Sequence, residues 1–388
     1  MQQTAEFLFA IGGFLLLGLA TDFLGRRTSL PRVTLLLILG IIMGDEALGL
    51  IPDSVTDRFE IIADMALLMI GFLLGGRLTL KSLRKSGRHL VWISISAALV
   101  TTIIVGLALV LIGVPLEIAI LLGCIAAATA PAATTDTVLE FGQKTPFSRL
   151  LLAIVAVDDA WALILFSLGM ASISILHGLQ DISIPLLHAI YEIGGAVLLG
   201  VVIGLPASYL TGRLKPGQPM LTEALGLVFL CGGAAIWLNV SFLISSIVMG
   251  AVIANMTQHH KYPFHEIENI EWPFMVIFFM LAGASLEIGM LAELGLVGAV
   301  YLLTRIIGKL LGAWIGAKIS DASDDMRHWM GFALMPQAGV AIGMALLAAN
   351  QFPEYRQSIL SIVISTTVFF EIIGPIFTRL ALRRTQHS

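Results

Sequence analysis

The 388-residue sequence predicts an all-α polytopic membrane protein of about 13 transmembrane helices, built as inverted repeats with two crossed discontinuous helices. Three observations predict it. Hydrophobic residues make up 57% of the chain and charged residues 12%, about half the roughly 25% charged content of a soluble domain. Basic residues recur in alternate loops, and two apolar runs carry a proline near the centre, at corresponding places in the two halves of the chain.

Composition also narrows the partners. A net charge of -4, with the charges scattered, suggests neither a nucleic-acid surface nor an acidic tail. The expected partner is the lipid bilayer. Cys124 and Cys231 both fall in apolar runs and read as packing residues, with no disulfide framework, metal cluster or cofactor implied. The first apolar run, from Phe7 to Leu24, lacks a basic leading segment and is followed by Arg26 and Arg27, so it reads as a retained helix. The chain stops soon after its last apolar run, at "RLALRRTQHS", and no regulatory nucleotide-binding domain is expected.

Charged, proline and glycine breaks divide the chain into spans near 5–24, 29–43, 59–77, 89–113, 115–142, 148–174, 184–212, 219–238, 241–257, 273–289, 291–317, 328–350 and 357–380. An odd number of spans places the termini on opposite sides. Short cytoplasmic loops accumulate Lys and Arg. All but four of the 22 basic residues fall in the odd-numbered loops and the C-terminal segment. Arg58 and Arg356 lie on the other side, and Arg305 and Lys309 lie within the eleventh span. The expectation is an external N-terminus and a cytoplasmic C-terminus.

An ionisable side chain near the bilayer centre costs about 2.5 to 3.5 kcal/mol, so each one needs a partner, a water path or a function. The mid-span set is Asp136, Glu140, Asp158, Asp159, Arg305, Lys309 and Glu371. Asp158 and Asp159 stand side by side in "IVAVDDAWALIL". Successive residues on a helix point roughly 100° apart, so one can face a protein cation while the other faces water. Two unit charges about 4 Å apart repel by roughly 4 kcal/mol at an effective dielectric of 20. Such a pair holds a proton or a small cation readily and is hard to keep fully ionised and empty. Arg305 and Lys309 are four residues apart, share a helix face, and either can supply the pairing cation.

Pro131 in "AAATAPAATTDTVLEFG" and Pro336 in "GFALMPQAGVAIGMA" each remove a backbone donor inside a span. In lipid the freed groups must find partners in protein or water. Interrupted segments at matching places in two halves point to an inverted-repeat transporter with its site at the midplane. Asp136 beside half-helix N-termini would be stabilising. Thr134, Thr135 and unwound carbonyls offer the oxygens a hard monovalent cation prefers.

Eight stretches in order resemble the monovalent cation:proton antiporters, in particular the sodium/proton branch with a double aspartate: "LPRVTLLLILGIIMG", "LLMIGFLLGGRLTLKSLRKSG", "ATAPAATTDTVLEFG", "VDDAWALI", "SFLISSIVMGAVIAN", "FFMLAGASLE", "RIIGKLLGAWIGAK" and "ALMPQAGVAIGMAL". The resemblance covers essentially the whole chain. It implies a homodimer of elevator type in the cell membrane, the bacterial inner membrane being expected, that exchanges Na+ or Li+ for H+, two protons per cation. It further implies a dimerisation domain from residues 1–80 and 218–290, a core transport domain from 88–175 and 291–384, and a linker helix at 182–213. By resemblance Asp159 is the cation and proton carboxylate and Asp158 the second, paired with Lys309, with Arg305 the alternative. Asp159, Asp158 and Thr135 would hold the sodium ion, and Asp136, Thr134, Thr135, Pro131, Pro336 and Gln337 belong to the helix crossing.

Departures from the family pattern are specific. "TTDTV" stands where some relatives have proline after the aspartate, and "MPQAG" lacks the charged residue of some potassium-linked relatives. Potassium-efflux relatives carry Gln-Asp at the pair. Candidate pH-sensing groups are His259, His260 and His265, placed in a cytoplasmic loop with Glu266, Glu268 and Glu271, together with Glu371, a lining residue of the cytoplasmic funnel or a packing partner for Arg305. Three alternative functions are a potassium/proton antiporter of the same fold, a sodium-coupled symporter of organic acids and an intramembrane aspartyl protease. The protease needs its aspartates on separate helices, whereas these two are adjacent.

Overall fold

The computed structural model describes residues 2–27, 30–44, 47–52, 55, 58–142, 145–176, 183–211, 220–256, 261–284, 295–337, 339–352 and 355–386. Regular structure among them is helical. The helices are α1 (Gln2–Arg27), α2 (Arg32–Met43), α3 (Phe59–Arg77), α4 (Leu80–Leu111), α5 (Leu116–Ile125), α6 (Pro131–Phe141), α7 (Pro146–Leu176) and α8 (Ser183–Thr211). They continue with α9 (Met220–Trp237), α10 (Phe242–Met256), α11 (Lys261–Ala284), α12 (Gly295–Ile319), α13 (Asp324–Ala333), α14 (Gly339–Gln351) and α15 (Arg356–Arg384). Six of these, α1, α4, α7, α8, α12 and α15, are long and apolar enough to cross a bilayer alone. Helices α5 and α6 divide the fifth predicted span between them, and α13 and α14 the twelfth. The protein is a multi-pass membrane protein.

The chain forms two compact units. The first comprises Met1–Arg84 and Tyr191–Leu286, and the second Lys85–Ile190 and Glu287–Ser388. In the first unit glycines set the packing distances. A Cβ on Gly75 would lie 2.0 Å from the Ile247 carbonyl, so α3 and α10 touch backbone to backbone. Gly200 of the glycine-rich α8 meets α10 in the same way, with a Cβ 2.6 Å from the Ser245 carbonyl.

The second unit repeats one pattern twice: a long helix, a broken helix, a long helix. Its two leading helices give the relative direction of the repeats. Gly308, Gly312 and Gly316 of α12 pack on Thr101, Ser96–Ala97 and Trp92–Ile93 of α4 respectively. As one number rises the other falls, so α4 and α12 run antiparallel and the repeats are inverted.

Several boundaries differ from the sequence expectation. Helix α4 begins at Leu80, because the basic stretch ahead of the apolar run continues the helix instead of forming a loop. Helix α11 begins at Lys261 and runs through Pro273. Its start absorbs part of the predicted histidine loop: His265, Glu266, Glu268 and Glu271 are helical, with His265 Nδ1 3.9 Å from Glu268 Oε2. His259 and His260 lie outside the described residues. The fifth span breaks before Pro131, which occupies the first turn of α6. A proline there forfeits only an N–H that the helix would not have used. Gly142, at φ 73°, ends α6 in the left-handed conformation that glycine adopts without penalty.

Candidate functional site

Among its described residues the second unit buries six charged side chains: Asp136, Asp158, Asp159, Arg305, Lys309 and Glu371. They gather around the two helix interruptions. Backbone joins the breaks directly, the Ala130 N–H donating to the Pro336 carbonyl at 2.8 Å. The last helix braces the second break. A Cβ on Gly374 would lie 2.6 Å from Pro336 Cα, and Thr378 Oγ1 donates to the Ala333 carbonyl at 3.1 Å.

A helix leaves its last carbonyls without intrahelical donors. Where α5 ends, four consecutive carbonyls each accept a side-chain donor from elsewhere in the unit. Gln337 Nε2 reaches Ile125 O at 3.2 Å, Arg305 Nε reaches Ala126 O at 3.1 Å, Lys309 Nζ reaches Ala127 O at 2.6 Å and Arg305 Nη2 reaches Ala128 O at 2.8 Å. Arg305 Nη1 also donates to Met335 O, in the other break, at 2.8 Å. One guanidinium therefore holds both interruptions, and two cations sit where the α5 helix dipole is negative. The guanidinium lies 4.1 Å above the Phe370 ring, and no ion pair with Glu371 occurs among the described residues.

The carboxylates are treated unequally. Lys309 Nζ lies 3.0 Å from Asp158 Oδ2, with both side chains fully buried. Thr129 Oγ1, in the first break, donates to the same oxygen and accepts from Lys309 Nζ at 2.7 Å. Asp158 Oδ1 and both oxygens of Asp159 are buried without a hydrogen-bond partner. So is Thr135 Oγ1. On α7 the next turn is fixed by Trp161, whose indole N–H donates to Ser94 Oγ of α4 at 3.2 Å.

Other expected residues lie as follows. Thr134 Oγ1 bonds back to the Ala130 carbonyl at 2.9 Å, inside α6. Asp136 is fully buried on that helix. Gln337 donates to Tyr301 Oη at 3.3 Å as well as to Ile125, and its Oε1 has no partner. Glu140 pairs with Arg379 of α15 at 3.3 Å. Cys124 and Cys231 are free and buried. Thr129 and Tyr301 did not emerge from the sequence reading. The only visible signal for Thr129 was a hydroxyl inside the alanine-rich stretch that precedes Pro131.

Comparison with known proteins turns this geometry into a family. The profile described as "Sodium/hydrogen exchanger, transmembrane" matches residues 5–384. The chain belongs to the sodium/hydrogen exchanger family. It is thereby a cation/proton antiporter of the monovalent cation/proton antiporter superfamily, a transporter and not an enzyme. It is 24% identical to the ammonium/H+ antiporter subunit AmhT of Alkalihalophilus pseudofirmus, covering 90% of this chain and 88% of that protein. It is 22% identical to the Na+/H+-K+ antiporter GerN of Bacillus cereus, covering 94% of each. The fold matches the sodium proton antiporter MjNhaP1 of Methanocaldococcus jannaschii with a TM-score of 0.72 and 20% identity, over 98% of this exchanger and 97% of the other chain.

Proposed function

We propose that this exchanger moves cytoplasmic Na+, or Li+, against external H+, with Asp159 and Asp158 as the carriers and two protons exchanged per cation. The observation that carries the reading is the asymmetric pair: Asp158 is held by Lys309 at 3.0 Å, while both Asp159 oxygens are buried and unbonded. In the cation-free form Lys309 is an ammonium, Asp158 a carboxylate and Asp159 a carboxylic acid, so the cluster is neutral. A sodium ion then binds both carboxylates, with Thr135 Oγ1 as a further oxygen ligand. Asp159 gives up its proton, and Lys309, released by Asp158, gives up another. Two positive charges leave and one enters. Moving one net charge is worth about 2.3 kcal/mol per 100 mV, so a membrane potential can drive export.

The rest of the reading follows from the family resemblance and the distribution of basic residues. The second unit serves as the transport core and the first as the dimerisation body of an elevator-type homodimer. The N-terminus is external, the C-terminus cytoplasmic, and the chain resides in a bacterial inner membrane. Relatives named for Na+, K+ and ammonium make cation choice the first measurement. Purified protein reconstituted on a solid-supported membrane, challenged with Na+, Li+, K+ and NH4+ chlorides across a pH series, should give currents with Na+ and Li+. Currents only with K+ or NH4+ would replace the sodium assignment.

A further inference from the structure

Lys309 has three protons, and each has an acceptor: Ala127 O at 2.6 Å, Thr129 Oγ1 at 2.7 Å and Asp158 Oδ2 at 3.0 Å. The Thr129 hydroxyl accepts from that ammonium and spends its own proton on Asp158. A hydroxyl is both donor and acceptor and can rotate, whereas an ammonium only donates. We propose that Thr129 is a positioning residue whose hydroxyl clamps Asp158 against Lys309, and so sets how readily Asp158 is released to a cation. The inference rests on the exchange reading above and deepens it.

In this buried place an unmade hydrogen bond is costly, so each donor and acceptor of the bridge needs a partner. When Asp158 turns to a cation, the ammonium loses one acceptor and the Thr129 hydroxyl loses its only one. Lys309 still has Ala127 O and the Thr129 oxygen as acceptors, so opening the pair costs chiefly the two bonds that end on Asp158 Oδ2. Valine at position 129 would have nearly the same shape and neither function. The charged groups acting on Lys309 are Asp158, Asp159 and Arg305. Arg305 directs Nε, Nη1 and Nη2 to carbonyls of the two breaks, whereas Lys309 reaches Asp158 itself.

The bridge contributes unequally to the two forms. The closed pair contains two bonds from Thr129, one accepted from Lys309 and one donated to the Asp158 carboxylate. The cation-bound form keeps at most one, the contact with Lys309. Thr129→Val therefore removes one extra bond to a charged group from the closed form, which favours release of Asp158 by about tenfold.

The test measures sodium-driven proton flux in proteoliposomes at fixed pH for the wild type, Thr129→Val and Thr129→Ser. Half-saturating Na+ should fall about tenfold in the valine protein, with a lower maximal rate, and serine should restore the wild-type value. An unchanged or raised half-saturation, or serine behaving like valine, overturns the proposal. Thr129→Ala is run in parallel, so misfolding of the valine variant leaves the comparison intact. A wild type that exchanges no monovalent cation would sink the functional reading alone. The bridge is then read from a double-mutant cycle of unfolding midpoints in detergent, combining Thr129→Val with Asp158→Ala. The two effects should be strongly non-additive, and additivity overturns the inference.

Discussion

The Lys309 ammonium and the Asp158 carboxylate meet at 3.0 Å with neither side chain exposed. Removing one partner of a buried pair leaves an uncompensated charge and costs about 3–5 kcal/mol. Lys309→Gln is therefore expected to destabilise the protein by about 3 kcal/mol. Adding Asp158→Asn to the same chain should recover most of the loss, because the pair is then neutral on both sides. Thermal unfolding of the purified single and double variants in detergent checks this, and a double variant no more stable than the single one contradicts it.

Asp159 is the residue whose chemistry is left open by its surroundings, since neither oxygen is bonded. Asn at this position keeps the volume and removes the only group there that can alternate between a proton and a cation. Asp159→Asn should abolish sodium-driven proton release, read as dequenching of a pH-sensitive dye in proteoliposomes, while folding normally by size-exclusion chromatography. Retained exchange would transfer the carrier role to another carboxylate.

Much of this arrangement is legible in the sequence, and the limit has a physical cause. Charges and prolines inside apolar runs are expensive in lipid, so Asp158, Asp159, Lys309, Arg305, Pro131 and Pro336 announce themselves by breaking a strong rule. What each partners is a tertiary fact. Arg305 and Lys309 lie one turn apart, so helix periodicity alone leaves both open as the pairing cation, yet one caps carbonyls of both breaks and the other also reaches Asp158. Thr129 breaks no rule, because a threonine in a span can always bond back to its own helix. Its importance comes from lying where no helix exists. His265 illustrates the reverse error: a polar run read as a loop is helical, because charge alone does not end a helix.

Arg305 supplies three hydrogen bonds to carbonyls at 2.8 to 3.1 Å across two interrupted helices. Lysine preserves the charge but not the planar fork, and cannot reach all three with one nitrogen. Arg305→Lys should lower the unfolding midpoint and the maximal transport rate by about tenfold or more, with half-saturating Na+ changed much less, because Arg305 donates to carbonyls and not to the carboxylates. Flux measured against sodium concentration separates the two effects. A change confined to half-saturation would mean that Arg305 acts on the ion and not on the crossing.

The stoichiometry offers the sharpest division between the roles of the two aspartates. In the proposed exchange, cation binding to Asp158 frees Lys309 to lose a proton, the second of the two that would make exchange electrogenic. Asp158→Asn leaves Lys309 without a carboxylate to lose, so sodium binding no longer triggers that release. Any exchange that survives should carry one proton per sodium ion through Asp159 alone and move no net charge. The measurement is twofold: dye-detected proton flux, and the response of that flux to a potassium diffusion potential imposed with valinomycin. In the wild type the imposed potential should accelerate or slow exchange according to its sign. In Asp158→Asn the flux should be weaker and indifferent to the potential. A variant that still responds as the wild type does would place the second proton elsewhere, with Glu371, the remaining buried carboxyl of α15, as the next to substitute.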